Sequence, residues 1–271
     1  MLTIIFLCFG GFLAAFIDSI AGGGGLISMP VLLMAGLSPH LALGTNKFAG
    51  AFGCFSSAYR YTKSGKTNNE LLKKLIPFTI FGCILGVKCV LSISDTILNI
   101  LVFIMILVVA IYTYFKKDLG SENTFETLTS KNIKLGVIMA FSLGFYDGFF
   151  GPGTGTFLVF ALIKIYGFDF LHASANTKIL NFTSNFTALI LFMFNGQILY
   201  NIAIFYAISM VIGGYVGAKV AIKKGSTLIK PIFLVMAIGV AITKNIGFIK
   251  VDPFFIATLA PTYPPITIDI A

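Results

Sequence analysis

Phe16-Ile17-Asp18-Ser19-Ile20-Ala21-Gly22-Gly23-Gly24-Gly25-Leu26 brings an aspartate and four consecutive glycines to the junction of two apolar segments. Phe145-Tyr146-Asp147-Gly148-Phe149-Phe150-Gly151-Pro152-Gly153-Thr154-Gly155 does the same later in the chain. Asp18 aligns with Asp147, Gly22 with Gly151 and Gly24 with Gly153. After a short apolar piece, each glycine run is followed by a polar cluster. The clusters are Ala42-Leu43-Gly44-Thr45-Asn46-Lys47 and Ala173-Ser174-Ala175-Asn176-Thr177-Lys178. Two motifs in the same order, found twice, mark an internal duplication.

Around these motifs the chain has the composition of a membrane protein. Hydrophobic residues make up 57% and charged residues 11%, against roughly 45–50% and about 25% in a soluble domain. Apolar runs of helical length recur from end to end, which indicates an all-α integral membrane protein. Runs such as Ile97–Phe115 do not alternate in polarity as β-barrel strands do. The first run, Leu2 to Ile17, has no Lys or Arg ahead of it and ends at Asp18, so it reads as a structural segment rather than a secretory leader. The formal charge is +9, but twelve of the nineteen basic residues fall in Arg60–Lys74, Lys116–Lys134 and Lys223–Lys230. Basic loops between apolar segments are the signature of cytoplasmic loops, and nucleic acid is not expected as a partner.

The pattern predicts helices near 2–20, 26–36, 40–62, 71–91 and 96–115, then 133–150, 155–166, 171–194, 199–222 and 228–248. Segments 26–36 and 155–166 are too short to cross a hydrocarbon core that takes about 20 residues. They read as half-helices of hairpins whose tips carry the glycines. The organisation expected is a first repeat over 1–115, a cytoplasmic linker over 116–132, a second repeat over 133–250 and an irregular C-terminal tail over 251–271. Pro253, Pro261, Pro264 and Pro265 argue against a spanning helix in that tail. Each repeat comprises a Gly-rich broken-helix hairpin plus three membrane-spanning helices. With Arg60–Lys74 inside, the Ser92–Asp95 turn is outside and the linker inside, whereas the corresponding loops of the second half swap sides. The two repeats are therefore expected to be antiparallel, or inverted.

Glycines at a membrane-buried turn let the helix break and let amides approach a ligand without a Cβ in the way. The helix that follows offers free N–H groups and a partial positive charge to an anion. Gly22, Gly23, Gly24 and Gly25, with Gly151, Gly153, Thr154 and Gly155, are accordingly candidate substrate-binding residues. The bland alternative is close helix packing by small residues. Neither run is a nucleotide loop, since no Gly-Lys-Ser/Thr follows and no strand precedes.

Asp18 and Asp147 are carboxylates inside apolar segments and need a cavity or a partner. They are candidates for ion coupling or for supporting the loop, the alternative being simple capping of the turn that follows. Lys47 and Lys178 lie about seven residues into their helices, ~10 Å deep at 1.5 Å per residue. They are expected to line a substrate path or to pair with the aspartates, whereas Lys88 and Lys219 suit snorkelling. Thr45, Asn46, Asn176 and Thr177 carry donors for oxyanion oxygens. Asn181 and Asn185 extend that polar stripe, with Gly50 and Cys54 at the matching places. Cys8, Cys54, Cys83 and Cys89 lack metal-ligand spacing and read as buried free thiols. His40 and His172 lie at segment boundaries. No catalytic residue, metal site or cofactor is expected.

In these residues, Asp18 to Gly25 with Ala42 to Lys47 and Asp147 to Gly155 with Ala173 to Lys178, the chain resembles the sulfite exporter TauE/SafE family over roughly residues 1–249. The resemblance implies a duplicated transporter fold in the bacterial cytoplasmic membrane that moves small sulfur oxyanions or organosulfonates. The expected function is a multi-pass secondary permease for a small anion working by alternating access, in contact with the lipid bilayer. The alternatives are a membrane enzyme, a non-transporting membrane scaffold or a permease for an unrelated small solute. An enzyme would need a nucleophile–base or metal constellation that two boundary histidines and scattered cysteines do not form.

Overall fold

The computed structural model describes residues 2–115 and 122–224, and among them every regular element is a helix. In order they are α1 (Leu2–Ala21), α2 (Gly25–Met34), α3 (Pro39–Lys63), α4 (Asn69–Leu91), α5 (Asp95–Phe115), α6 (Ser130–Phe149), α7 (Thr154–Tyr166), α8 (Phe170–Phe194) and α9 (Tyr200–Lys224). The expected boundaries hold to within three residues. The largest difference is α6, which starts early because the Thr129 hydroxyl accepts the Asn132 N–H as an N-cap. The helix expected at 228–248 and the tail at 251–271 lie outside the described residues, as do residues 116–121 of the linker.

Thr3–Ala21, Asn69–Leu91 and Tyr200–Lys224 are long and apolar enough to cross a membrane. The helices α3 and α8 are 25 residues each, about 37 Å at 1.5 Å per residue, but carry buried polar side chains at their middles. By contrast α2 and α7, with 10 and 13 residues, reach only partway.

Glycine decides which helices touch. A Cβ on Gly82 or Gly86 of α4 would strike the carbonyl oxygens of Phe141 or Phe145 on α6, and Gly144 and Gly148 of α6 lie as close to Thr79 and Cys83 of α4. Gly213 and Gly217 of α9 press in the same way on Phe12 and Phe16 of α1. Each set has four-residue spacing, which puts both glycines on one face and lets the backbones approach. In each pair the residue numbers rise together, so α4 runs parallel to α6 and α1 to α9.

The middle of the molecule is the crossing of α3 and α8. From Gly44 near Phe192, through Gly50 against Asn185, to Phe55 beside Phe182, numbers rise on one helix and fall on the other, so the two run antiparallel. Thr45 Oγ1 of α3 accepts the Leu199 N–H at the start of α9 (3.1 Å), and Asn176 Oδ1 of α8 accepts the Asn68 N–H at the start of α4 (2.8 Å). These contacts gather Arg60, Lys63, Lys66, Lys73, Lys74, Lys131, Lys134, Lys223 and Lys224 at one end of the bundle. His40 and Asp95 pair at the other. One apolar cluster, including Leu43, Val90, Phe192 and Ala203, fills the His40 end. A second, including Ile20, Leu72, Leu162 and Leu180, fills the basic end. A polar layer is left between them.

Gly86→Ala and Gly217→Ala are each expected to lower stability by ~1–3 kcal/mol, since the new methyl group meets backbone that cannot turn aside. Ile208→Ala, on an exposed face, should stay within about 0.5 kcal/mol. Thermal unfolding of the detergent-solubilised variants measures the difference.

Candidate functional site

The two glycine turns meet in the polar layer. A Cβ on Gly22 would fall on the backbone of Gly155 and Thr156, and one on Gly25 would stand 2.6 Å from Pro152 Cα. Gly22 and Gly151 both take positive φ, +74° and +97°. Beyond them the turns part company, contrary to the aligned spacing of the motifs. The second left-handed residue is Gly23 (φ +85°) in the first turn and Gly153 (φ +86°) in the second, while Gly24 is helical at −55°. Pro152 occupies the place of Gly23 and its ring holds φ negative, so the left-handed step moves one residue on.

Two ion pairs flank the turns, each joining one half of the chain to the other. Lys178 Nζ donates to Asp18 Oδ2 at 2.6 Å, and Lys47 Nζ stands 3.0 Å from Asp147 Oδ1. Both ammonium groups are buried, Lys178 at 0% and Lys47 at 1% exposure. A charge held that deep without a partner costs several kcal/mol, which accounts for the pairing. Asp18 also caps its own turn, since Oδ1 accepts the Gly24 N–H at 3.1 Å. Its carboxylate thus serves the loop and the lysine together.

Between the turns and the α3–α8 crossing lies a cavity of about 50 Å³, space for a few waters at roughly 10–15 Å³ each. Of the residues singled out in the sequence, Asp18, Gly23, Gly24, Gly25, Asn46, Lys47, Asp147, Gly151, Gly153, Thr154 and Gly155 line it, with Gly50, Cys54, Asn181 and Asn185. Its polar wall is uneven, because Asn181 and Asn185 from α8 face Gly50 and Cys54 from α3. Ser28 and Met210 complete the lining and were not anticipated. Ser28 had a legible signal, three residues into the helix that follows the glycines, but Met210 sits in an apolar run with nothing to mark it.

Five candidates lie outside that lining. Gly22 is spent on contact with Gly155. Thr45 and Asn176 bond the first turns of α9 and α4, and Asn176 Nδ2 donates to the His172 carbonyl. Among the described residues Thr177 Oγ1 is buried without a partner, and Lys178 is wholly engaged behind Asp18. Two cysteines also differ from expectation: Cys54 and Cys83 are buried, Cys8 is half-buried and Cys89 is exposed, because α4 turns Lys88 and Cys89 outward together. His40 and His172 pair with Asp95 and Asp169.

The sequence profile described as "Sulfite exporter TauE/SafE" matches residues 7–243. Among curated relatives, a probable membrane transporter protein of Haemophilus influenzae is 37% identical over 227 residues, 84% of this chain and 88% of that protein. Probable membrane transporter protein ORF9 of a Sinorhizobium species is 36% identical over 88% of this chain and 90% of its own length. Probable membrane transporter protein YfcA of Escherichia coli K12 is 32% identical over 85% of each. No solved structure matches. The class is that of membrane transporters. The chain belongs to the sulfite exporter TauE/SafE family.

Asp18→Asn leaves Lys178 buried without a counter-charge and should destabilise the protein by ~3–5 kcal/mol. Asp18→Asn combined with Lys178→Met should recover much of that loss. A double-mutant cycle on thermal stability reads the coupling.

Proposed function

We propose that this chain is a secondary transporter moving a small oxyanion, such as sulfite or an organosulfonate, across the bacterial cytoplasmic membrane by alternating access. The observation that carries the reading is the meeting of two glycine turns, one from each half, on a single small cavity. Bare backbone, side-chain amides and the Lys47 ammonium converge there, the set that recognises oxygen atoms carrying negative charge. The cavity's size suits a solute of a few heavy atoms. Relatives described as membrane transporters, and a family described as sulfite exporters, support both the class and the sulfur oxyanion.

The repeats over 1–115 and 133–250 are taken as inverted about an axis in the membrane plane. Support comes from α3 and α8, which carry the corresponding polar clusters and cross antiparallel, and from the pairing of each lysine with the other half's aspartate. The basic end of the bundle, with the linker over 116–132, faces the cytoplasm by the positive-inside rule. Gly22 packed on Gly155 and Gly25 on Pro152 form the seam across which the two hairpins move relative to each other. Opening that seam toward one end and then the other exposes the cavity to each side in turn.

Proteoliposomes containing the protein should accumulate labelled sulfite or methanesulfonate in preference to chloride and to an uncharged solute of similar size. Lys47→Met should reduce that transport roughly 10–100-fold, the worth of one charge-assisted hydrogen bond at ~1.5–3 kcal/mol. Equal rates for charged and uncharged solutes, or indifference to Lys47→Met, would overturn the anion reading.

A further inference from the structure

The two carboxylates of the polar layer are not equivalent. Both oxygens of Asp18 are bonded, Oδ1 to the Gly24 N–H and Oδ2 to Lys178. Asp147 meets Lys47 through Oδ1 at 3.0 Å, but among the described residues its Oδ2 has no partner, although the residue is only 3% exposed. The turn beyond Asp147 takes the other path, through Pro152 and a left-handed Gly153, and no amide of it satisfies Oδ2. Asp147 and Lys47 both line the cavity, whereas Lys178 does not.

The single positive charge of a fully buried ammonium neutralises one negative neighbour. For Lys47 that neighbour is either the Asp147 carboxylate or an oxyanion in the cavity. Both at once would set two negative charges on one lysine, and close like charges in a buried site exclude one another unless one is protonated. Resting on the function proposed above, we infer that Asp147 Oδ2 takes up one proton when an anion binds, so that a proton and a monovalent anion occupy the cavity together. Asp18–Lys178 is then a permanent structural pair that takes no part in coupling.

The proton comes from water at the open side of the cavity and bonds to the free lone pair of Oδ2. Lys47 keeps its own proton and passes its charge from the carboxylate to the anion. When the cavity opens to the other side, the anion leaves, the proton returns to water and Asp147 pairs with Lys47 again. Among the described residues, the titratable groups around Asp147 are Lys47 and Cys54 from α3, Cys83 from α4, Asp18 from α1, Lys178 from α8 and its neighbour Tyr146. The helix α7 brings Thr154 and Gly155, α2 brings Ser28 and α9 brings Met210, none of which titrates. Asp18 and Lys178 cancel, which leaves Asp147 as the carboxylate whose charge competes with the solute.

The test is calorimetric titration of methanesulfonate, an anion that stays ionised throughout, into the purified full-length protein in nanodiscs. Repeating it in buffers of different ionisation heat counts the protons exchanged. The expected result is uptake of about one proton per anion, with affinity weakening about tenfold per pH unit on the alkaline side, as linkage to one proton requires. Asp147→Asn, a neutral side chain of the same shape, should bind with uptake near zero and a flat pH profile. Asp95→Asn, at the His40 end and outside the cavity lining, should keep the uptake. Wild-type binding without proton exchange overturns the inference, even if Asp147→Asn does not fold. Uptake kept in folded Asp147→Asn assigns the proton to another group and overturns it as well. If neither methanesulfonate nor sulfite binds to protein that still melts cooperatively, the anion reading fails and the inference fails with it.

Discussion

Two lysines are held where water does not reach them, and each must have a carboxylate within hydrogen-bonding distance. That requirement ties Lys178 of α8 to Asp18 at the end of α1, and Lys47 of α3 to Asp147 at the end of α6. Because each aspartate stands just before a glycine turn, the pairs draw both turns to the α3–α8 crossing. Pairing the charges and building the cavity are therefore one event. Replacing such a pair with well-packed apolar side chains is often neutral or stabilising in proteins, so its presence here is better explained by what surrounds it than by stability alone.

The remainder of the architecture keeps that polar layer enclosed. Parallel contacts of α4 with α6 and of α1 with α9 run on glycines spaced four apart, where backbone meets backbone and no side chain intervenes. Within a membrane there is little hydrophobic force between helices, so close packing of small residues has to hold them together. Thr45 and Asn176, in matching positions, each satisfy a backbone N–H at the start of a helix from the other half. Their polarity, which in sequence suggests a ligand, is used to finish helix ends that would otherwise be buried unsatisfied.

The two halves carry matching motifs, and small departures between them give the cavity its character. Pro152 in place of Gly23 changes the path of one turn, and Asn181 and Asn185 stand where the first half has Gly50 and Cys54. One wall therefore carries amides and the other a glycine and a thiol. One aspartate is fully bonded and the other is not. A strictly two-fold cavity would hold two equal sites, whereas among the described residues this one has a single lysine on its wall.

Much of this was open to a reading of the residues alone. Runs of apolar residues, their lengths and the caps between them fix helices by local chemistry, so boundaries agree to within three residues. The repeated Asp–Gly and Asn/Thr–Lys clusters mark the polar layer because buried charge and bare glycine are conspicuous in an apolar chain. The glycine pairs 82/86, 144/148 and 213/217 were equally visible in the sequence, although their partners were not. What only the tertiary structure decided is pairing across the chain: which lysine meets which aspartate, that Lys178 and Thr45 are consumed inside the fold, and that Ser28 and Met210 reach the cavity. These depend on how residues a hundred or more positions apart in the chain are brought together. Local propensity carries no information on that, and it is settled by backbone contact at glycine together with the need to neutralise buried charge.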